Sequence, residues 1–253
     1  MGKHSSIQFG MAELSPSRQQ KLSTFIQQLG LPVTPEAIDW TLLDLALTHP
    51  SLESDRNNDR LEFLGDAILR LLVGDFLYST YPQLAVGQLA LLRSDLLSNT
   101  FFAGLADGYN FDTVLRLGGS ASKDVKGRTK RHADAFEAVV GALYLSLRSP
   151  DSAQVAVTPL QAWLEPALTE RVKVVLDNLE RHNAKTTLQE LTQQRWGELP
   201  TYRVVQQPQG KRQQQQFLAE VWVGNTCQGM GKGRSKKIAE TEAALAALDK
   251  LQV

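Results

Sequence analysis

Five carboxylates in two short segments of the sequence have the spacing of a metal-binding site. They are Asp59, Glu62 and Asp66 in NDRLEFLGDA, and Asp134 and Glu137 in DAFEAVVGALYL. Residues three, four or seven positions apart share one face of a helix. The remaining positions of both segments are largely apolar and would form a core. The pattern therefore predicts two helices that carry acidic groups at the margin of a hydrophobic interior.

Buried carboxylates without partners cost several kcal/mol or stay protonated. If the two helices pack side by side, their carboxylate oxygens would form a site for a hard divalent cation such as Mg²⁺ or Mn²⁺. Oxygen ligands of this kind favour phosphate-ester chemistry over redox chemistry.

Two other interpretations of these carboxylates stay open at the level of sequence. Asn58 is a plausible N-cap, and acidic residues near a helix N-terminus are favoured by the helix dipole, an explanation that also covers Asp134. Asp66 is harder to explain in that way, because it lies two turns into its helix. A di-iron bundle is the other alternative, but it requires Glu-x-x-His pairs. The corresponding positions hold Gly65 and Val140.

The charge of the chain is zero overall but unevenly distributed. The 253 residues include 27 Lys/Arg and 27 Asp/Glu. Residues 1–180 carry 16 basic and 21 acidic side chains, whereas residues 181–253 carry 11 and 6. The neutral total argues against a protein that coats nucleic acid or a membrane surface by bulk charge. The single cysteine, Cys227, excludes an internal disulfide and fits a reducing compartment.

The elements that must position these groups are helical in the first part of the chain. Helical periodicity and stop signals predict helices at about 22–29, 36–47, 58–79, 86–105, 133–147 and 159–178. We therefore expect an all-α domain over residues 15–178. Residues 1–14 are expected to be a disordered N-terminal extension, and no apolar run is long enough to span a bilayer.

The last part of the chain has a different pattern. A polar joint where the charge changes sign predicts a linker at 179–185. After it come a helix at 186–196, strands at 201–206, 216–223 and about 225–230, and a final helix capped by Ser235. Its inward face is predicted to hold Ile238, Leu245, Leu248 and Leu251. The sequence predicts a small α+β domain of order α-β-β-β-α at 186–253.

The first part resembles the ribonuclease III family. NDRLEFLGDA looks like the signature of that family, and ALTHPS, RSDLLSN and DAFEAVVGALYL follow in the family's order over most of residues 15–178. The resemblance implies a ribonuclease III helical bundle in which Glu62, Asp66, Asp134 and Glu137 bind metal, with Asp66 and Glu137 as catalytic residues. Asp59 stands where the family usually has Glu, as an outer acidic residue. Phe63 would contact the partner subunit of a homodimer.

The last part resembles a double-stranded-RNA-binding domain. Four cations accompany the N-terminus of its final helix, where they oppose the dipole unless an anion binds there. The resemblance implies that Thr186, Gln189, Glu190, Gln193 and Gln213 reach the minor groove of duplex RNA. It likewise implies that Arg234, Ser235, Lys236 and Lys237 hold phosphates. Gln213 replaces the family's usual His. The alternative for the basic stretch is a solvated surface.

Together these resemblances imply a cytoplasmic, Mg²⁺-dependent endoribonuclease specific for double-stranded RNA, with Mn²⁺ as a substitute ion. It would leave 5′-phosphate and 3′-hydroxyl ends and process precursors of ribosomal RNA and other structured transcripts. The five cations of loop 119–131 are candidates for further RNA contact or belong to an exposed polar loop. A second hypothesis is an RNA-binding regulator whose helical domain only dimerises.

Overall fold

The computed structural model describes residues 14–149, 154–206 and 217–251. The predicted N-terminal extension, except for Leu14, and the predicted RNA contact Gln213 lie outside these ranges. The chain divides into two compact units between Val172 and Lys173. In the described ranges, no helix is both long enough and apolar enough to cross a membrane.

The first unit is helical, as the sequence predicts. Its helices are α1 (Pro16–Leu29), α2 (Trp40–Ala46), α3 (Asp59–Thr80), α4 (Val86–Leu96), α5 (Asn99–Gly108), α6 (Arg128–Leu147) and the first part of α7 (Gln154–Trp196). The helix predicted at 86–105 is two helices. Ser98 separates them because its Oγ accepts a hydrogen bond from the backbone N–H of Phe101 and so caps α5.

The joint predicted at 179–185 does not interrupt the helix. Helix α7 runs without a break from Gln154 to Trp196, so the helices predicted at 159–178 and 186–196 are one element. The physical reason is that residues 179–185 contain neither glycine nor proline, and a polar composition alone does not end a helix. The change in charge at 180/181 is not accompanied by a loop, and the two units divide earlier in the same helix, between Val172 and Lys173.

Helix α6 is the centre of the first unit. Its residues from Arg131 to Leu143 are buried except for Asp134. Phe136 stacks on Phe102 and on Trp163, with ring centroids 5.5 Å and 5.8 Å apart. A helix buried on most of its circumference is expected to be apolar nearly all round. The buried polar residues of α6, which are Arg131, His132 and Glu137, are therefore exceptions that need an explanation.

The second unit has the predicted α-β-β-β-α order. Strands β1 (Thr201–Gln206), β2 (Phe217–Val223) and β3 (Thr226–Gly233) form an antiparallel sheet in the order β1-β2-β3, and α8 (Lys236–Leu251) follows. Alternate glycines of β3 bring the strand close to α8. A Cβ on Gly231 would lie 2.2 Å from the backbone nitrogen of Ala243.

This close approach changes which residues form the inward face of α8. Its buried residues are alanines and Leu248, whereas Ile238 is 36% exposed, contrary to the sequence prediction. Small side chains replace large ones at the contact because backbone meets backbone there. Leu245 and Leu251 pack only at the edge of this core.

Candidate metal centre and RNA-binding surface

Two glycines bring the acidic faces of α3 and α6 together. A Cβ on Gly65 of α3 would lie 1.7 Å from the backbone oxygen of Glu137, and a Cβ on Gly141 of α6 would lie 2.4 Å from that of Leu61. No side chain fits at either position, so the two backbones are in direct contact. Glu62 and Asp66 flank Gly65, and Asp134 and Glu137 precede Gly141 by about two turns and one turn.

The four carboxylates influence one another strongly. Burial, followed by the nearby charges of Asp66, Glu62 and Asp134, raises the pKa of Glu137 from 4.5 to about 7. Burial and then the charge of Asp134 also raise the pKa of Glu62. Glu137 is only 9% exposed. The site therefore concentrates negative charge that the protein compensates incompletely.

Two cations contact the cluster from its own helices. Lys130 Nζ lies 2.6 Å from Asp134 Oδ2, and Arg70 Nε lies 2.8 Å from Asp66 Oδ2, each pair one helical turn apart. Both cations are more than half exposed, so they can move aside for a ligand at little cost. The four carboxylates fit a hard divalent ion in the chemistry of their donor atoms, because they offer oxygen alone.

The helix-terminus explanation does not hold for Asp134. The sequence predicts a helix that begins next to Asp134, but α6 begins at Arg128 and has no acidic residue in its first turn. Asp59 and Glu62 do lie in the first turn of α3. Asn58 precedes α3 but makes no side-chain capping bond, contrary to its predicted role as an N-cap.

A cavity of about 480 Å³ lies beside the cluster. It is lined by Asp59, Glu62 and Asp134 together with His49, Asn58, Lys130 and Arg131, among others. Sequence reasoning did not single out His49, Asn58 or Lys130 for this site. Lys130 is four residues before Asp134, a spacing that would have been informative had the start of α6 been placed correctly. Burial, followed by the charge of Arg131, lowers the pKa of the His49 imidazole.

A second acidic cluster lies elsewhere in the first unit and is compensated. His132 is buried, and its two ring nitrogens lie 2.7 Å from Asp107 Oδ1 and 2.9 Å from Asp112 Oδ1. Arg128 pairs with both carboxylates. In the described residues, these three are the only His, Cys, Asp or Glu side chains whose ligand atoms converge within 4.8 Å as a set. The guanidinium already supplies the positive charge that an ion would bring.

The cations of loop 119–131 divide into two groups. Arg128 and Lys130 form the ion pairs described above, and Arg131, which is nearly buried, pairs with Asp124 at 3.2 Å. Lys123 and Lys126 are exposed and, in the described ranges, have no ion-pair partner. In the described ranges, only the latter two can contact an RNA backbone without first breaking an ion pair.

The second unit displays its predicted RNA contacts on the surface. On α7, Thr186, Gln189, Glu190 and Gln193 are all exposed, on the side opposite the buried Leu188. Arg234, Lys236 and Lys237 are also exposed, and no carboxylate in the described residues pairs with them. Ser235 caps α8, because its Oγ accepts a hydrogen bond of 3.2 Å from the N–H of Ile238. Its hydroxyl hydrogen remains available to an acceptor.

Helix α3 also has an exposed apolar stripe on the side away from the core. Phe63 is 82% exposed, and Leu71 and Tyr78 are exposed further along the same helix. Val86 and Leu91 of α4 are exposed as well. Large exposed apolar side chains along one face of a helix, as on α3, are typical of a protein interface.

Comparisons with known proteins agree with this two-part organisation. Residues 59–148 match the family described as Ribonuclease III domain, and residues 184–251 match the family described as Double-stranded RNA binding motif. The chain is 43% identical to "Ribonuclease 3 2" of Nostoc sp., over 92% of this chain and 93% of the relative. It is 44% identical to "Ribonuclease 3" of Gloeobacter violaceus, with the same coverage. The match to a solved nuclease domain of ribonuclease III from Campylobacter jejuni covers 58% of this chain and 97% of that structure's chain, with 31% identity and a TM-score of 0.49.

Proposed function

The chain belongs to the ribonuclease III family, and we propose that Glu62, Asp66, Asp134 and Glu137 hold the divalent ions with which it hydrolyses double-stranded RNA. The enzyme is an endoribonuclease specific for double-stranded RNA. The observation that carries the site assignment is the direct backbone contact at Gly65 and Gly141. It concentrates four carboxylates at one place and raises the pKa of Glu137.

The family is metal-dependent, and we propose Mg²⁺ as the ion, with Mn²⁺ as a substitute. Support comes from the donor set, which consists of carboxylate oxygens only. When bound, such ions activate water and stabilise the leaving oxygen of a phosphodiester. Asp66 and Glu137 are the proposed catalytic residues. Loss of the Glu137 proton, whose pKa is about 7, would accompany ion binding.

Each remaining residue of the site has a role that follows from its charge and place. Lys130 would leave Asp134 and turn to a phosphate once an ion neutralises that carboxylate. Asp59 lines the cavity, and its side chain is one methylene group shorter than the family's usual Glu, so it would act through water. Attack of water on the phosphorus with cleavage of the bond to the 3′ oxygen would leave a 5′-phosphate and a 3′-hydroxyl.

We further propose that the second unit holds the duplex. Thr186, Gln189, Glu190 and Gln193 would contact one minor groove, and Gln213 would contact the next. Arg234, Ser235, Lys236 and Lys237 would hold phosphates across the major groove. The exposed face of α7 and the unpaired cations at α8 support this assignment.

Two copies of the chain would pair through the apolar stripe of α3, with Phe63 inserted into the partner. Its high exposure in one chain supports that contact. Two facing sites would then cut both strands of one duplex. We place this activity in the cytoplasm, on ribosomal-RNA precursors and other structured transcripts. The family assignment favours an enzyme over a regulator that only binds RNA and over a di-iron oxidoreductase.

The site assignment is tested by cleavage of a perfect RNA duplex with Mg²⁺. We expect Glu137→Gln and Asp66→Asn each to reduce the rate by roughly a thousandfold or more, because each removes a ligand charge from the ions. Duplex binding measured without divalent ions should be unchanged. Undiminished cutting by either variant would refute the assignment.

The RNA-binding surface is tested by salt dependence. Lys236→Ala combined with Lys237→Ala should weaken duplex binding and reduce the slope of log K against log salt by roughly 1–2, because fewer counterions are released. Lys250→Ala removes a cation from the last turn of the same helix, where no RNA contact is proposed, and it serves as the control. An unchanged slope in the double variant would contradict the phosphate role.

A further inference from the structure

His49 lies at the active site but belongs to neither acidic helix. It follows α2 and lines the same cavity as Glu62, Asp59 and Asp134. The side chain is half-buried. The imidazole ring lies next to carboxylates that are proposed to bind cations, so its own contribution to the site needs a separate explanation.

Hydrogen bonds within the turn determine which ring nitrogen carries the hydrogen. The backbone N–H of Ser51 lies 3.0 Å from His49 Nδ1, and Ser51 Oγ lies 2.8 Å from it. A backbone N–H can only donate, so Nδ1 must accept. In the neutral ring the hydrogen is therefore on Nε2. In the described part of the chain, Nε2 has no hydrogen-bond partner.

The turn that carries His49 is held rigidly from both sides. His49 N–H donates to the carbonyl of Arg116 at 3.1 Å, and Gly118 N–H donates to Ser51 Oγ at 3.0 Å. A Cβ on Gly118 would lie 2.1 Å from the backbone oxygen of Ser51, so only glycine allows this approach. The ring is thus fixed in one orientation before any ligand binds. This is expected of a group that must contact a ligand at a defined position.

A second donor without a partner lies in the wall of the same cavity. Asn58 is 1% exposed, and its Nδ2 has no hydrogen-bond partner in the described residues. A buried donor that lacks a partner is costly and calls for an explanation. Metal ions bind acceptor atoms, so neither donor can serve them. In the proposed function, an RNA backbone would bring further acceptor oxygens to this cavity.

We propose that His49 is an RNA-contacting residue that donates its Nε2–H to a backbone oxygen beside the scissile bond. The acceptor is a non-bridging phosphate oxygen or a ribose 2′-hydroxyl, and both present the same acceptor chemistry. The inference rests on the proposed function, because it assumes that the scissile phosphate binds at the four carboxylates. Its effect is to position the substrate before attack.

The test combines variants of His49 with substrates altered at single atoms. Cleavage of an RNA duplex is compared with cleavage of duplexes that carry one 2′-deoxy or one stereodefined phosphorothioate group at each backbone position next to the cut. We expect His49→Ala to lower kcat/KM roughly tenfold to a hundredfold, the range of one lost hydrogen bond to a backbone group. One of the substituted oxygens should slow the wild-type enzyme but cause no additional loss in His49→Ala.

Two amide variants provide a matched pair that does not depend on how well the alanine variant folds. The amide nitrogen of Gln reaches the position of Nε2, whereas that of Asn reaches only the position of Nδ1. We therefore expect His49→Gln to retain more activity than His49→Asn at equal thermal stability.

The proposal is overturned if every substrate substitution slows His49→Ala by the same factor as the wild type. It is likewise overturned if His49→Gln and His49→Asn have the same activity. It is also overturned if His49→Ala changes only the Mg²⁺ concentration required, because the ring would then orient a carboxylate instead. These outcomes leave the carboxylate assignment intact, provided that Glu137→Gln still abolishes cleavage. If Glu137→Gln cuts normally, the proposed site itself fails.

Discussion

Two acidic clusters in the helical unit are built from similar residues but have opposite electrostatics. At Asp107 and Asp112, Arg128 and the buried His132 contact both carboxylates, and the hydrogen bond from Arg128 lowers the pKa of Asp112. At Glu62, Asp66, Asp134 and Glu137, burial and mutual repulsion raise the pKa of Glu137 to about 7.

This electrostatic difference is the reason why we propose the cluster around Glu137, and not the one around Asp112, as the metal site. Geometry alone points to the cluster other than the proposed one, because Asp107, Asp112 and His132 have the ligand atoms that converge. They converge because partners inside the protein draw them together. The other four carboxylates remain strained by their own charge, and this deficit of positive charge is what an ion would relieve.

The largest effect is expected from the backbone contact that creates the strained cluster. Gly65→Ala places a Cβ against the carbonyl of Glu137, so α3 and α6 must separate. We expect the free energy of unfolding to fall by about 3 kcal/mol or more, with loss of cleavage. Gly74→Ala, on the same helix and facing open space, is the control and should be neutral or slightly stabilising. Equal effects in chemical denaturation would show that the contact does not matter.

A smaller effect is expected from the proton on Glu137. Its pKa is raised on folding from 4.5 to about 7, so the metal-free protein is stabilised below pH 4.5 and loses that stability as pH rises through 7. Glu137→Gln mimics the protonated form. We expect it to be more stable than the wild type by roughly 1–3 kcal/mol at pH 8, and about equal at pH 4. Denaturation with a chelator present measures the difference, and a less stable variant at pH 8 would contradict it.

The smallest effect, with the opposite sign, is expected at the compensated cluster. The pKa of Asp112 is lowered on folding, so its contribution is present at neutral pH and is lost as pH falls through its folded pKa. Asp112→Asn should destabilise the protein at pH 7 by about 1 kcal/mol or less, because the side chain is more than half exposed. Cleavage by the folded variant should be unchanged. A loss of cleavage at full stability would show that this cluster also serves the reaction.

Much of this organisation could be predicted from local sequence. The helical first part, the α-β-β-β-α order of the second and the cap at Ser235 depend on periodicity and turn residues, and the structure confirms them. The helix break expected at 179–185 and the inward position expected for Ile238 were wrong. Helix continuity there depends on the absence of a breaker, and the face of α8 that is buried depends on the glycines of β3.

The roles assigned to individual carboxylates and RNA contacts stay predictions, and the residues around them could not be predicted. His49, Asn58 and Lys130 reach the cavity through a turn, a helix N-terminus and a helix that begins earlier than its apolar pattern suggests. Asn58 stands four residues before Glu62, but its side chain is neutral, and the positions of His49 and Lys130 in the sequence do not relate them to Glu62 or Asp66.

The sequence by itself determined which residues can bind a cation and which can bind a phosphate, because side-chain chemistry and helical spacing are local properties. Only the tertiary structure decided which acidic groups have their negative charge compensated incompletely. That depends on contacts between residues distant in the chain, such as Gly65 with Glu137 and Arg128 with Asp107. Electrostatic free energy depends on distance and burial, and neither is fixed until the helices pack.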